Sequence, residues 1–230
     1  MKKNKIIVAL DYPDSKSALS FVDQVTPGDC RLKIGNILFT QSGPGIVSEL
    51  VNRGFDVFLD LKYHDIPNTV LGAVKAAADL GVWMCNIHCL SGRPVLEAVG
   101  RWIQQCRKRP LCMGVTVLTS LSDENMIEMG LEKGLNQFVI RWAQLAYDCG
   151  IDGVVCSAQE VAAIKSRVSS DFLTVTPGIR LTEEVQDQQR VMTPQAALLA
   201  GSDHLVIGRP ITEAADPLAT LRGIYDRSFE

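Results

Sequence analysis

Two lysines and two aspartates in the first third of the sequence have types and spacing suited to proton transfer. The stretch from Asp60 to Asp65 reads Asp-Leu-Lys-Tyr-His-Asp. Side chains on a strand alternate in direction, so Asp60 and Lys62 are expected on one face. A lysine flanked by carboxylates is held as the ammonium, because nearby opposite charge favours the charged form. This suits a proton donor rather than a Schiff-base nucleophile. Lys33, from the preceding strand, would complete an alternating array of Lys33, Asp60, Lys62 and Asp65, although the spacing also fits a surface ion-pair network.

A second group of residues is suited to binding an anion. Two glycine-containing turns, 177–180 (Pro-Gly-Ile-Arg) and 208–210 (Gly-Arg-Pro), follow apolar runs near the end of the sequence. Glycine exposes backbone N–H groups, which can cradle a phosphate together with a following helix N-terminus. Arg180 and Arg209 would add bidentate, charge-assisted hydrogen bonds. The polar segment 181–189 between the turns lacks a clear period and is predicted to be a mobile lid.

Short apolar runs alternate with segments of helical period along the chain, and these elements must position the candidate residues. The runs lie at residues 6–10, 31–34, 57–60, 84–88, 112–118, 153–156, 172–176 and 204–207. Each gap between runs can hold a helix and two loops, as in the βα unit of a parallel sheet. Near-continuous apolar strands indicate burial on both faces. The pattern predicts an α/β protein, a single (β/α)8 TIM barrel that occupies residues 1–230 as one catalytic domain. A doubly wound open sheet is the alternative.

In such a barrel the chemistry lies at the C-terminal ends of the strands. The residues at the predicted ends are mostly polar: Asp11, Lys33, Asp60, Lys62, His88, Thr119, Ser120, Ser157, Gly178, Arg180, Gly208 and Arg209. Any one of them alone is equally well explained as a surface charge or a helix cap. Charged groups are costly to bury without partners, so their convergence on one rim predicts an active site there.

Composition excludes several classes of protein. The 230 residues are 47% apolar and carry a net charge of −3, which provides no general field for nucleic acid or for an anionic membrane. The longest apolar stretches are far shorter than the ~20 residues that span a bilayer, so no membrane association is expected. The seven cysteines are odd in number and form no C-x-x-C pair, which suits reduced thiols and a cytoplasmic location. Cys85, His88 and Cys89 lie close together, but no second ligand pair has zinc-like spacing, so no metal site is predicted.

Six segments between residues 8 and 210 match one known family. They are Val8–Asp11, Leu32–Gly35, Phe58–Thr69, Val115–Ser120, Val175–Arg180 and Val206–Pro210. The most specific segment is Asp-Leu-Lys-Tyr-His-Asp-Ile-Pro-Asn-Thr at 60–69. Its Asp-x-Lys-x-x-Asp core is shared by a wider group of barrels that act on sugar phosphates. The continuation through Ile-Pro-Asn-Thr makes the match far more specific. On these segments the sequence resembles the orotidine 5'-phosphate decarboxylase family, of the bacterial type.

The resemblance implies loss of CO2 from orotidine 5'-phosphate to give uridine 5'-phosphate, the last step of de novo UMP synthesis. No metal or organic cofactor would take part. Asp60 would face the departing carboxylate, Lys62 would deliver a proton to the ring carbon, and Lys33 would complete the charged array. Asp65 and Thr69 would reach the active site of the partner subunit, which implies a homodimer.

The resemblance also implies the contacts of the nucleotide. Asp11 would bind the ribose hydroxyls, and Thr119 or Ser120 the pyrimidine edge. The phosphate would be bound by Arg180, Gln188, Gly208 and Arg209. The choice of Gln188 over Gln189 rests only on the match of the pair at 187–188 (Asp-Gln).

Two other functions remain open on the sequence. One is a Mg2+-dependent keto-sugar-phosphate decarboxylase or hexulose-phosphate aldolase of the same wider group, in which Asp60 would help to hold the metal. The other is a non-catalytic nucleotide sensor that retains the pocket. The intact lysine and aspartates argue against a sensor, because a binding protein has little use for a carboxylate that repels the carboxylate of its ligand.

Overall fold

The computed structural model describes residues 4–131, 134–181 and 191–229, and its strands close into a parallel barrel. The strands are β1 Ile6–Ala9, β2 Arg31–Gly35, β3 Val57–Tyr63, β4 Met84–His88, β5 Leu111–Val115, β6 Gly153–Val155, β7 Leu173–Thr176 and β8 His204–Ile207. Each strand pairs with the next, and β8 pairs with β1 through the register Ile6 to Leu205 and Val8 to Ile207. The (β/α)8 barrel is confirmed and the open-sheet alternative is wrong, because the first and last strands are hydrogen-bonded to each other.

At least one helix follows each strand in the sequence, and the helices surround the barrel. They are α1 Ser15–Val22, α2 Asn36–Ser42, α3 Pro44–Asn52, α4 Pro67–Asp79, α5 Arg93–Gln105, α6 Asp123–Glu128, α7 Leu135–Asp148, α8 Val161–Arg167, α9 Pro194–Leu199, α10 Arg209–Thr212 and α11 Pro217–Phe229. Several begin at or next to a proline. Proline suits the first turn because its missing N–H would have no partner there. At α1 the Asp14 carboxylate instead accepts the Ser17 backbone N–H at 2.8 Å.

The core has two layers, one on each side of the sheet. On β1, Ile7 and Ala9 point into the barrel, whereas Ile6 and Val8 point towards the helices. Residues from six strands fill the barrel interior: Ile7, Ala9, Phe58, Met84, Met113, Val175 and Val206. Burial on both faces explains why the strands appear in the sequence as continuous apolar runs.

Three ion pairs lie at the amino-terminal face of the barrel: two join neighbouring strands, and the third joins α8 to the start of β8. They are Arg31 with Asp56 at 3.0 Å, Arg109 with Asp152 at 2.9 Å and Lys165 with Asp203 at 2.7 Å. Each aspartate immediately precedes a strand. This face therefore serves stability, as is usual in such barrels, and the opposite face is left for the chemistry.

Strand β3 differs from its predicted extent in a way that affects the site. It continues to Tyr63 rather than ending at residue 60, and its pairing with β4 is irregular between Leu59 and Tyr63. Asp60 and Lys62 therefore lie within the strand, in its irregular part.

Candidate active site

A cavity of about 730 Å3 opens at the carboxyl ends of the strands. Its size lies in the usual range for small-molecule sites, roughly 300–1,000 Å3. The cavity is lined by most of the predicted residues: Asp11, Lys33, Asp60, Lys62, Thr119, Ser120, Arg180, Gly208 and Arg209. Separate strand ends thus bring together side chains that are up to 198 positions apart in the sequence, from residue 11 to residue 209.

Three of the predicted site residues are not among the described residues that line the cavity. Asp65 and Thr69 are exposed and are absent from the described lining of their own chain's cavity. The Asp65 carboxylate accepts the backbone N–H of Ile66 at 2.6 Å. Gln188 lies outside the described residues, together with residues 182–189 of the predicted lid.

Four charged side chains form a continuous array along one wall of the cavity. Lys33 Nζ lies 3.0 Å from Asp11 Oδ1 and 3.4 Å from Asp60 Oδ2. Lys62 Nζ lies 2.7 Å from Asp60 Oδ1. The order along this wall is therefore Asp11, Lys33, Asp60, Lys62, so that within one chain Asp11 is the fourth member rather than Asp65.

Burial and mutual attraction set the charges of the central pair. Burial by itself would raise the pKa of Asp60, but the charges of Lys33 and Lys62 outweigh it, and the pKa is lowered. Burial would likewise lower the pKa of Lys33, but Asp60 and Asp11 raise it above the ordinary value. The side chains of Lys33 and Asp60 are only 9% and 13% exposed, so both remain charged in a largely dry environment.

Two residues that the sequence did not single out for a role, Gly35 and Asn86, shape this wall. A Cβ at Gly35 would lie only 3.1 Å from Lys33 Nζ, so the absence of a side chain there leaves room for the ammonium. Asn86, on β4, hydrogen-bonds to both Asp60 and Lys62. In the sequence, Asn86 could have been noticed only as a single amide within the mostly apolar strand β4.

The ends of β7 and β8 form another part of the cavity. Gly178 has a φ of +80°, a conformation that favours glycine, and it lines the cavity beside Arg180. Gly208 follows β8 directly and precedes Arg209. Two guanidinium groups and the nearby glycine backbone are a donor set suited to a phosphate.

Much of the remaining lining is apolar. It includes Ile37, Val115, Leu118, Val155 and Pro177, none of which was predicted as a site residue. A mostly apolar lining with a few charged groups is typical of a small-molecule site. Within the described ranges, no group of three or more His, Cys, Asp or Glu side chains is arranged to hold a metal ion. The same ranges contain no helix that is long and apolar enough to cross a membrane.

The closed parallel barrel and the charged cavity at its carboxyl end define an enzyme of the (β/α)8-barrel class. The chain belongs to the orotidine 5'-phosphate decarboxylase / HUMPS family, whose family model matches residues 4–224. The resemblance inferred from the six sequence segments is thereby confirmed.

Individual relatives agree with this assignment. The chain is 58% identical to an orotidine 5'-phosphate decarboxylase from Laribacter hongkongensis over 220 residues, which cover 95% of this chain and 90% of that protein. It is 54% identical to one from Chromobacterium violaceum over 95% of this chain and 89% of that protein. The crystal structure of orotidine 5'-phosphate decarboxylase from Lactobacillus acidophilus superposes with a TM-score of 0.87 at 34% identity, covering 99% of this chain and 100% of that chain.

Proposed function

We propose that this protein decarboxylates orotidine 5'-phosphate to uridine 5'-phosphate, the last step of de novo UMP synthesis, without a metal or an organic cofactor. The observation that carries the proposal is the array of Asp11, Lys33, Asp60 and Lys62 within the cavity. The names of the relatives support the choice of substrate.

In the proposed reaction the bond between the ring carbon and the carboxylate breaks, and the electron pair stays on the carbon as CO2 leaves. This carbanion is poorly delocalised, so its stabilisation must come from fixed charge. The Lys62 ammonium supplies that charge and then transfers one proton from Nζ to the carbon, after which water reprotonates the neutral amine. Asp60 faces the departing carboxylate, and Lys33 holds Asp60 in place through the contact at 3.4 Å. An ammonium placed beside the developing anion binds the transition state more tightly than the substrate, which is the condition for catalysis.

The rest of the nucleotide is proposed to supply binding energy. Arg180, Gln188, Gly208 and Arg209 bind the phosphate. Asp11 binds the ribose hydroxyls, and Thr119 or Ser120 binds the pyrimidine edge. Because the phosphate is remote from the reacting bond, its binding energy is available for closing the site and excluding water.

The direct test is incubation of the purified protein with orotidine 5'-phosphate, followed by the ultraviolet change on decarboxylation. We expect turnover that is unchanged after thorough chelation with EDTA. Loss of activity with EDTA and recovery with Mg2+, on a keto-sugar phosphate, would instead support the metal-dependent members of the wider group. Binding of the nucleotide without turnover would support a sensor.

We further propose that the protein is a homodimer in which Asp65 and Thr69 complete the partner's site. Both residues are exposed and do not line their own cavity, and Ile66 between them is 66% exposed. Mixing two inactive variants, Lys62→Ala and Asp65→Ala, and allowing subunits to exchange should restore activity, since a mixed dimer holds one intact site. A monomer by light scattering, or no recovery on mixing, would refute this arrangement.

We also propose that residues 1–230 form one catalytic domain and that the protein works in the cytoplasm. The free cysteines support a reducing compartment. Cys85 and Cys112, whose sulfurs are 3.7 Å apart, remain thiols. Limited proteolysis that released a stable fragment of the barrel would contradict the single domain.

A further inference from the structure

The backbone of Lys62 has an unusual conformation. Its φ is +52°, and it is the only residue other than glycine with a positive φ in the described parts of the chain. The left-handed region is unfavourable for a residue with a side chain, so surrounding contacts must hold it there.

An irregularity between β3 and β4 accompanies this conformation. On β3, Leu59 pairs with Cys85, and the next pair is Tyr63 with Ile87. Residues 60–62 of β3 therefore face a single residue of β4, Asn86. The regular pairing of the two strands is therefore interrupted at Lys62.

The side chain of Asn86 makes hydrogen bonds to this irregular part of β3. Asn86 is fully buried. Its Oδ1 accepts the backbone N–H of Lys62 at 2.8 Å, and its Nδ2 donates to Asp60 Oδ1 at 2.7 Å. The same Asp60 oxygen accepts Lys62 Nζ at 2.7 Å. One amide thus links the backbone of Lys62 to the carboxylate that its side chain contacts.

We propose that Asn86 is a positioning residue that holds Lys62 in its left-handed conformation and Asp60 in register with the Lys62 ammonium. The proposal rests on the proposed decarboxylation. Only an uncharged group that both donates and accepts can make the two contacts. Alanine makes neither contact, and an ionised carboxylate lacks the donor and repels Asp60.

The first test is the kinetics of Asn86→Ala on orotidine 5'-phosphate. We expect kcat to fall about 100-fold, as for a displacement of reacting groups by roughly 1 Å, while KM changes less than about threefold. The matched control is Thr174→Val, which also removes a buried hydrogen-bonding side chain, in this case from β7, where Thr174 contacts Asp203 at the amino-terminal face. A kcat for Asn86→Ala within threefold of the wild-type value, or an equal loss in Thr174→Val, would overturn the proposal.

The second test uses the pH dependence of Asn86→Asp, which a merely structural role would not alter. When protonated, the introduced carboxyl group has a carbonyl oxygen for the Lys62 N–H and a hydroxyl for Asp60, as asparagine does. We expect the kcat of this variant to rise at least tenfold as the pH falls from 8 to about 5.5, over a range in which the wild-type kcat is flat. A folded variant without this acid recovery would contradict the proposal.

Two further outcomes distinguish a role of Asn86 in folding, and a failure of the proposed function, from the positioning role. If both Asn86 variants fail to fold while Thr174→Val folds, Asn86 is a structural core residue and the proposal is wrong. If the wild-type protein does not turn over orotidine 5'-phosphate, the proposed function fails instead. In that case a crystal structure of Asn86→Ala still tests whether Asn86 positions Lys62. An unchanged Lys62 φ and an unchanged contact between Lys62 and Asp60 would refute the proposal.

Discussion

Replacing Lys62 with methionine removes the ammonium that contacts Asp60 Oδ1 at 2.7 Å and keeps an unbranched side chain of similar length. Two unit charges at that distance attract by about 6 kcal/mol at an effective dielectric constant of about 20. If the Lys62 ammonium came equally close to the forming carbanion, it would stabilise the transition state by a similar free energy. Because the side chain is 33% exposed, we halve this figure to about 3 kcal/mol, or roughly 100-fold in rate.

Proton donation adds to this electrostatic effect. A positioned acid contributes about 10² to 10⁴-fold, so kcat of Lys62→Met should fall at least about 10⁴-fold. The folded structure should persist, since Asp60 keeps Lys33 and Asn86 as partners. The assay is steady-state decarboxylation of orotidine 5'-phosphate, with binding of uridine 5'-phosphate as the measure of an intact pocket.

The matched control is Lys108→Met, which removes the same charge from an exposed position before β5, at the other end of the barrel. We expect wild-type kinetics from this control. Retention of kcat within tenfold in Lys62→Met, with binding intact, would refute the role of the ammonium.

Three further predictions concern pH and the phosphate end. The pKa of Asp60 is held low against the opposing effect of burial, and that of Lys33 is held high, so both charges persist at neutral pH and kcat should be constant from about pH 5 to 9. An inflection near pH 7 in the rate profile would contradict this. Burial lowers the pKa of His204 to about 4, and its Nδ1 lacks a hydrogen-bond partner among the described residues. Because the unfolded state then binds the proton more tightly, the free energy of unfolding should fall by about 1–2 kcal/mol between pH 7 and pH 5. In urea titrations, the free energy of unfolding of His204→Gln should fall less between pH 7 and pH 5 than that of the wild type. An identical fall would show that His204 is not the source of this pH dependence. Arg209→Ala should lower kcat/KM by roughly 100-fold through lost charge-assisted hydrogen bonds worth about 3 kcal/mol. Steady-state kinetics within threefold of the wild-type values would show that the phosphate is bound elsewhere.

The barrel and its active end could be predicted because their signals are repeated. Strands buried on both faces appear as apolar runs, and parallel strands place their carboxyl ends on one rim. Asp60, Lys62 and Arg209 were therefore predicted at the cavity from their positions at strand ends alone.

The local geometry of the site could not be predicted in the same way. The irregular pairing of β3 depends on contacts with β4, which the β3 sequence does not encode by itself. Asn86 looks like a polar interruption of an apolar strand until its two hydrogen bonds are seen. Asp11 was linked to ribose only, because the sequence does not show that its carboxylate reaches the Lys33 ammonium of the neighbouring strand β2.

The left-handed backbone at Lys62 and the proposed chemistry place opposing demands on the residue at this position. Glycine would adopt the same φ without strain, so a mutation to glycine would ease the conformation of the chain while removing the amine. If Lys62 is the proton donor, lysine is needed here despite its unfavourable φ, and a related barrel without this chemistry could carry glycine instead. A glycine or asparagine at the equivalent position in a related barrel would therefore indicate a protein that lacks the proposed reaction but keeps the same backbone conformation.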